Sequence, residues 1–292
     1  MPTRPALRFA PSPNGMLHLG HALSALTVDA WARRLGGRFL LRIEDYDTRR
    51  SRPEWVQGVF DDLAWLGLIW ETPVLRQSEH TPVYAAAAQR LIDMGVLYRC
   101  YASRAEIAAA ADAAKCDPDG GPLYPGRGRV LRAAEEAARR ARGEPFALRL
   151  DMRRALDRAR YKTNGAPLAF TELGPDGAPQ RLPADPARWG DVLLVRKDAP
   201  ASYHLAVVVD DARQSITHVT RGRDLFAATD LHCLLQVLLD LPAPIYHHHA
   251  LMTAPDGRKL AKSRGDTSLA ALRAEGVTAA DIRARLVIWA GS

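Results

Sequence analysis

Residues 8 to 26 read RFAPSPNGMLHLGHALSAL, and the reading of this stretch decides the fold. It joins a short apolar run, ALRFA (6–10), to a stripe of Leu19, Leu23, Leu26, Ala30 and Leu35 at three- to five-residue spacing. A strand, a tight loop and a helix in that order form the opening of a parallel α/β unit. Pro11 and Pro13 hold the loop extended, and Asn14-Gly15 offers a left-handed turn. His18 and His21 fall three apart at the helix start, with Gly20 between them. A helix N-terminus with free N–H groups and a positive dipole end suits an anion, and two imidazoles on one face add donors for phosphate oxygens. A zinc pair and a merely capped surface helix are the competing readings. No Cys or His cluster nearby in the sequence completes a metal set.

Similar runs recur along the chain as FLLRIED (39–45), DVLLV (191–195), LAVVVDD (205–211), ITHVT (216–220) and PIYHHHALM (244–252). Residues 205–209 are continuously apolar, which predicts a strand covered on both faces, ending at Asp210 and Asp211. In YHHHA (246–250), alternation puts His247 and His249 on one side and His248 on the other. A second helical stripe spans roughly 53–67, and strands alternating with helices indicate an α/β fold with a parallel sheet. Residues 98–190 differ, with an alanine-rich helical stretch (103–115), a Gly/Pro loop (116–128), an arginine-rich helix (129–142) and a polar, turn-rich segment. They read as a subdomain inserted between two halves of the sheet domain. The expected divisions are 1–97, 98–190, 191–264 and a short helical region over 265–292.

The chain of 292 residues has room for one large domain or two modest ones, and no apolar run reaches the length of a membrane span. The N-terminus lacks the apolar core of a secretory signal, and three widely spaced cysteines imply no disulfide framework, so the cytoplasm is the expected compartment. Net charge is +7, and only five of the forty cations are lysine. Two of those five, Lys259 and Lys262, share the loop DGRKLAKSRG (256–265) with Arg258 and Arg264. A chain that otherwise favours arginine uses compact ammonium groups here, as a lid closing on a polyphosphate would require. The competing reading is a solvated basic turn.

HLGH early and KLAKS late match the two signature motifs of class I aminoacyl-tRNA synthetases. RFAPSPNGMLHLGHA, GGRFLLRIEDYDTRRS, YHLAVVVDDARQSITHVTRGRDL and DGRKLAKS, in that order, resemble the glutamyl-tRNA synthetase catalytic core. The resemblance covers most of residues 6–97 and 190–264 and implies a Rossmann-type doubly wound parallel sheet with an inserted α/β subdomain. Only 29 residues follow Ser263, enough for about two helices and not for the anticodon-binding domain of the full-length enzymes. In this the chain resembles the glutamyl-queuosine tRNA(Asp) synthetases. That subfamily activates glutamate without tRNA and esterifies the cyclopentenediol of queuosine at the wobble position of tRNA(Asp).

By that resemblance Arg8, Ala10, Ser12, Glu44, Tyr203 and Arg221 form the glutamate site, the arginines facing carboxylates and Glu44 the α-ammonium. His18, Gly20, His21 and Lys262 would meet ATP, with Gly20 leaving room for adenine and Lys259 assisting Lys262. Mg²⁺ would neutralise the polyphosphate. The expected partners are L-glutamate, ATP and queuosine-containing tRNA(Asp), bound by a monomer with no membrane contact. Relatives often carry a zinc site of pattern Cys-x-Cys, then Tyr-x-x-x-Cys; here the pattern keeps Cys100 and Tyr124 but has Ala102 and Gly128 at the other cysteine positions, so zinc is not expected. Cys116, in the intervening loop, is the candidate for recruitment. The alternatives are a silent synthetase-like module that binds RNA or a partner, a truncated glutamyl-tRNA synthetase, and a nucleotidylyltransferase, which would not explain the Arg8, Glu44, Tyr203 and Arg221 pattern. Without the resemblance, Arg8 and Glu44 would read as a structural salt bridge.

Overall fold

The computed structural model describes residues 4–112, 115–126, 128, 131, 133–252 and 267–290. The basic loop with Lys259 and Lys262 therefore lies outside the described residues. The first half contains β1 (Ala6–Phe9), α1 (Leu19–Arg34), β2 (Arg38–Ile43), α2 (Pro53–Trp65), β3 (Glu71–Arg76) and α3 (Thr81–Asp93). Next come β4 (Leu97–Cys100), α4 (Arg104–Ala110), α5 (Ala133–Ala141), β5 (Ala147–Leu150), α6 (Met152–Lys162), β6 (Ala169–Leu173) and β7 (Pro179–Pro183). The chain continues through β8 (Leu193–Val195), α7 (Tyr203–Arg213), β9 (His218–Gly222), α8 (Ala228–Leu238), β10 (Ile245–His249), α9 (Leu269–Ala274) and α10 (Ala279–Ala290).

Seven strands make the main sheet, in the order β3-β2-β1-β9-β10-β6-β7. Every neighbouring pair is parallel except β6 and β7, an antiparallel hairpin at one edge. The chain builds outward from β1 to β3 on one side, then returns to lay β9 and β10 on the other. The sequence order thus reverses between β1 and β9, and an open α/β sheet of this kind has its crevice beyond the strand C-termini at that switch point.

The alternation of strand side chains assigns each face its role. Leu7, Phe9, Phe39, Leu41 and Ile43 are buried in one cluster with α1 and α2, joined by Leu269, Leu272, Ile282 and Leu286 from the last two helices. The residues between them, Arg8 and Arg42, point to the opposite face, where Asp211 of α7 meets both. A second cluster on that side joins α3, α6, α7 and α8.

Two expectations differ from this architecture. Residues 205–211 form the body of helix α7 rather than a strand. Its residues from Leu205 to Asp211 are all buried, between α3, α8 and β8. A helix covered all round shows no polar stripe, so a short apolar run cannot separate it from a buried strand. The stretch 98–190 also does not stay apart from the sheet. β4, β5 and β8 form a separate three-stranded antiparallel sheet, but β6 and β7 return to the main one. Turn residues around the hairpin and a strand with only Phe170 and Leu173 buried left little strand signal over Ala169–Leu173.

Core placement predicts graded costs. Leu234→Ala in α8, where the side chain is fully buried, should lower the unfolding free energy by roughly 2–5 kcal/mol. Ile69→Ala, at an exposed position, should change it by less than about 0.5 kcal/mol. Urea denaturation of the two variants checks the contrast.

Candidate active site

A cleft of about 480 Å³ opens at the switch point. Its wall includes Arg8, Ala10 and Ser12 after β1, His18, Gly20 and His21 at the start of α1, Glu44 after β2, Tyr203 of α7 and Arg221 of β9. All the expected site residues within the described chain are thereby brought to one cavity.

Two arginines there have opposite surroundings. Arg8 is fully engaged by a protein carboxylate: its Nε and Nη2 donate to the two oxygens of Asp211 at 2.9 and 3.1 Å. Asp211 also accepts from Arg42 Nη1 at 2.7 Å, and Arg42 Nη2 donates to Glu44 Oε1 at 3.1 Å. Two guanidinium groups and two carboxylates thus alternate in a buried chain. Burial would raise the Asp211 carboxyl, but Arg8 and Arg42 outweigh it and hold it below its ordinary value. Among the described residues the Glu44 side chain is bonded directly by Arg42 alone, and burial keeps its carboxyl above the ordinary value. The salt bridge imagined between Arg8 and Glu44 is therefore replaced by one through Asp211.

Arg221 is 5 % exposed, and among the described residues none of its hydrogen-bond partners is a carboxylate. Its Nε donates to His248 Nε2 at 3.1 Å, and Nη1 donates to Tyr203 Oη at 3.3 Å and His232 Nδ1 at 3.2 Å. Its Nη2 donates to Thr229 Oγ1 at 2.8 Å. Because His232 accepts on Nδ1, its Nε2–H donates to His204 Nδ1 at 3.3 Å. Burial, with Arg221 adding to it, lowers His204 to about 4 and His232 well below its ordinary value. His248 is lowered as well, chiefly by burial. At neutral pH the three rings are uncharged, so the guanidinium charge meets only neutral acceptors. An anion entering the cleft is the complement this arrangement lacks.

The opposite wall is the start of α1, which histidine rather than serine or threonine caps. His18 Nδ1 accepts from the Gly20 N–H at 3.1 Å, and His21 Nδ1 accepts from the His18 N–H at 3.2 Å. This is a reciprocal capping box built from two imidazoles. With both Nδ1 atoms acting as acceptors, each ring in its neutral form carries its proton on Nε2. A Cβ at Gly20 would lie 3.0 Å from His18 Cε1 and 3.1 Å from Nδ1. The glycine therefore makes room for the His18 ring itself. The same corner is tied to the chain beyond the basic loop: Leu269 N–H donates to Leu17 O at 2.8 Å, and His18 and Ser268 form a β-bridge. Before that loop, Leu251 and Met252 line the cleft.

The three histidines of β10 divide as alternation predicts. His247 packs on Trp31 of α1 with ring centroids 4.9 Å apart, and His249 Nε2 meets Ser24 Oγ of α1 at 2.9 Å on the cleft wall. His248 faces the Arg221 side.

The partial zinc pattern is packed as a polar lock. Tyr124 Oη accepts from the Gly128 N–H at 2.8 Å and is in hydrogen-bond contact with Cys100; burial and that contact push the phenol up to about 12. A Cβ at Gly128 would come within 2.9 Å of Tyr124 Oη and 3.0 Å of Tyr98 Cε2, so a cysteine side chain does not fit there. Cys116 is exposed, and among the described residues no three His, Cys, Asp or Glu side chains converge on a metal position. These residues do not fit a zinc ion. Among the described residues no helix is long and apolar enough to cross a membrane.

Residues 6–287 match the family described as tRNA synthetases class I (E and Q), catalytic domain. A protein of Rhodobacter capsulatus named glutamyl-Q tRNA(Asp) synthetase is 46% identical over 94% of this chain and 97% of its own length. One of the same name from Symbiobacterium thermophilum is 42% identical over 97% of this chain and 86% of its own length. The chain belongs to the class I glutamyl-Q tRNA(Asp) synthetases. A glutamate–tRNA ligase from Parasynechococcus marenigrum is 40% identical, but the match spans 55% of that longer protein. The fold likewise superposes on a glutamate–tRNA synthetase of Elizabethkingia anophelis with a TM-score of 0.69 and 27% identity, over 90% of this chain and 53% of the other.

Family motifs lead to the residues that face the cleft, but not to those that hold them. Arg42 and Asp211 fall inside the motif stretches and Thr229, His232, His248 and Glu172 outside them, but the role of all six depends on neighbours brought close by the fold. Asp210 and Asp211 were expected at the end of a strand. Both instead lie near the end of α7, where Asp210 accepts from Tyr84 Oη at 2.7 Å and Gln77 Nε2 at 2.9 Å.

The neutral histidines set a pH dependence. A depressed folded-state pKa means the unfolded chain takes up protons first, so stability falls as pH drops from about 6.5 toward the folded value of about 4 for His204. In a histidine NMR titration His204 should reach its midpoint near 4; a midpoint at the ordinary histidine value of about 6.5 contradicts the buried neutral cluster.

Proposed function

We propose that the chain activates L-glutamate with ATP in the absence of tRNA, and then transfers it to the cyclopentenediol of queuosine at the wobble position of tRNA(Asp). The observation that carries this reading is the buried Arg221 guanidinium, which faces the cleft at the sheet's switch point with four neutral acceptors and no carboxylate. An amino acid with two carboxylates supplies what that site is missing. Tyr203 and Arg8 line the same wall, with Ala10 and Ser12 contributing the close backbone. Arg8 is already gripped by Asp211, so the stronger electrostatic anchor is Arg221. Glu44 is the acceptor for the α-ammonium: Arg42 bonds Oε1 only, and a cation near the carboxylate offsets the burial that raises its pKa.

ATP would lie against His18, Gly20 and His21, with the dipole of α1 favouring its phosphates. Lys262, assisted by Lys259, would neutralise the leaving pyrophosphate. Both belong to the loop outside the described residues, whose described flanks are Met252 in the cleft wall and Ser268 beside His18. ATP would arrive as its Mg²⁺ complex, and the ion would screen the polyphosphate charge. An α-carboxylate oxygen of glutamate attacks the α-phosphorus, the bond from that phosphorus to the bridging oxygen breaks, and pyrophosphate leaves. No covalent enzyme intermediate is required, since positioning and charge stabilisation suffice. In the second step a queuosine hydroxyl attacks the adenylate carbonyl, loses its proton, and expels AMP.

Glutamate-dependent exchange of pyrophosphate into ATP should proceed with no tRNA added. Arg221→Met should lower kcat/KM for glutamate by about 100-fold, in line with truncating one partner of a buried charged contact. Lys262→Ala should cost about 10²–10³ in kcat. Glutamate should pass to queuosine-containing tRNA(Asp) and not to tRNA(Glu). Absence of exchange in folded protein, or charging of tRNA(Glu) at its 3′ end, contradicts the reading; the second result points to a truncated glutamyl-tRNA synthetase.

A further inference from the structure

We propose that Glu172 and His248 are positioning residues for the glutamate site: Glu172 fixes the tautomer of His248, and His248 in turn fixes the plane of the Arg221 guanidinium. Glu172 lies on β6, in the stretch that sequence patterning had set apart from the sheet domain. β6 pairs directly with β10, with Tyr246 opposite Glu172. This brings the carboxylate against His248, two residues farther along β10. Glu172 Oε1 accepts from the His248 backbone N–H at 2.7 Å, and Oε2 meets His248 Nδ1 at 2.9 Å.

The proton positions follow from the donors. Arg221 Nε can only donate, so the His248 Nε2 it meets at 3.1 Å must be a bare lone pair. The ring proton is then on Nδ1, where the Glu172 carboxylate accepts it. Thr229 adds to the same clamp: its Oγ1 accepts from Arg221 Nη2 at 2.8 Å and lies 3.3 Å from His248 Nε2. The His248 side chain is 1 % exposed and that of Glu172 14 %, so water does not compete strongly for these bonds. Burial would raise the Glu172 carboxyl, but the two His248 donors outweigh it and hold it ionised.

The imidazole spacer explains why a carboxylate is used here at one remove. A carboxylate placed directly on Arg221, as Asp211 is placed on Arg8, would neutralise the charge that the ligand must meet. One ring farther away, it still dictates geometry through the tautomer, while its attraction for the guanidinium is reduced by distance. The fold thus orients Arg221 without quenching it.

This inference rests on the proposed glutamate activation, and its test separates the two. In the unliganded wild-type protein, long-range ¹⁵N–¹H NMR should find His248 as the Nδ1–H tautomer. That measurement needs no substrate and holds whether or not glutamate is activated; an Nε2–H tautomer overturns the proposal. In pyrophosphate exchange, Glu172→Gln should raise KM for glutamate at least tenfold and leave KM for ATP within twofold. The amide cannot accept from both His248 donors. His248→Phe should do the same, whereas His248→Gln, whose amide oxygen can accept from Arg221, should recover most of the loss. An unchanged glutamate KM in Glu172→Gln, or an equal rise in both KM values, overturns the proposal. If wild-type protein shows no glutamate-dependent exchange, the functional reading fails and the tautomer result alone decides the positioning claim.

Discussion

A single buried cation, with no anionic partner among the described residues, governs the arrangement around it. Arg221 ends β9 at the switch point, where strand twist and the reversal of chain order leave an opening that side chains cannot fill. Burying a guanidinium is costly unless its N–H groups are satisfied. Here Tyr203, Thr229, His232 and His248 satisfy them with neutral atoms. Those partners remove the hydrogen-bonding penalty and leave the charge. The helices α7 and α8 are placed where they are because they supply three of the four acceptors, and β10 supplies the other.

The contrast with Arg8 and Arg42 shows what full compensation looks like in the same fold. Asp211 and Glu44 alternate with those two arginines in a chain whose formal charges cancel. That network fastens α7 to β1 and β2 and gives the cleft a rigid floor. Removing one member would strand a buried charge, a change that typically costs about 3–5 kcal/mol. A compensated network beside an uncompensated cation is a division of labour: one holds the elements, the other waits for ligand. Across the cleft, the start of α1 is closed by a histidine capping box, in which both Nδ1 atoms accept backbone N–H groups.

Much of this was legible in the sequence. The strand-loop-helix at 6–35, the strands around 40, 218 and 247, and the alternation of His247, His248 and His249 follow from local periodicity. The cleft-facing residues Arg8, Ala10, Ser12, His18, Gly20, His21, Glu44, Tyr203 and Arg221 are carried by motifs and assemble in one cavity. Two kinds of feature were not legible. Val207, Val208 and Val209 favour a strand by propensity, yet packing on every side makes α7 a helix. Glu172, Asp211, His232 and Thr229 act only through tertiary contacts, and nothing in their spacing announces partners 8 to 203 residues away.

The most direct measurement is a crystal structure with L-glutamate bound. The account requires a glutamate carboxylate oxygen within about 3 Å of the Arg221 guanidinium, with the bonds from Arg221 to His248 and Thr229 kept. Glutamate seated with both carboxylates away from Arg221, or Arg221 turned onto a protein carboxylate, would contradict it.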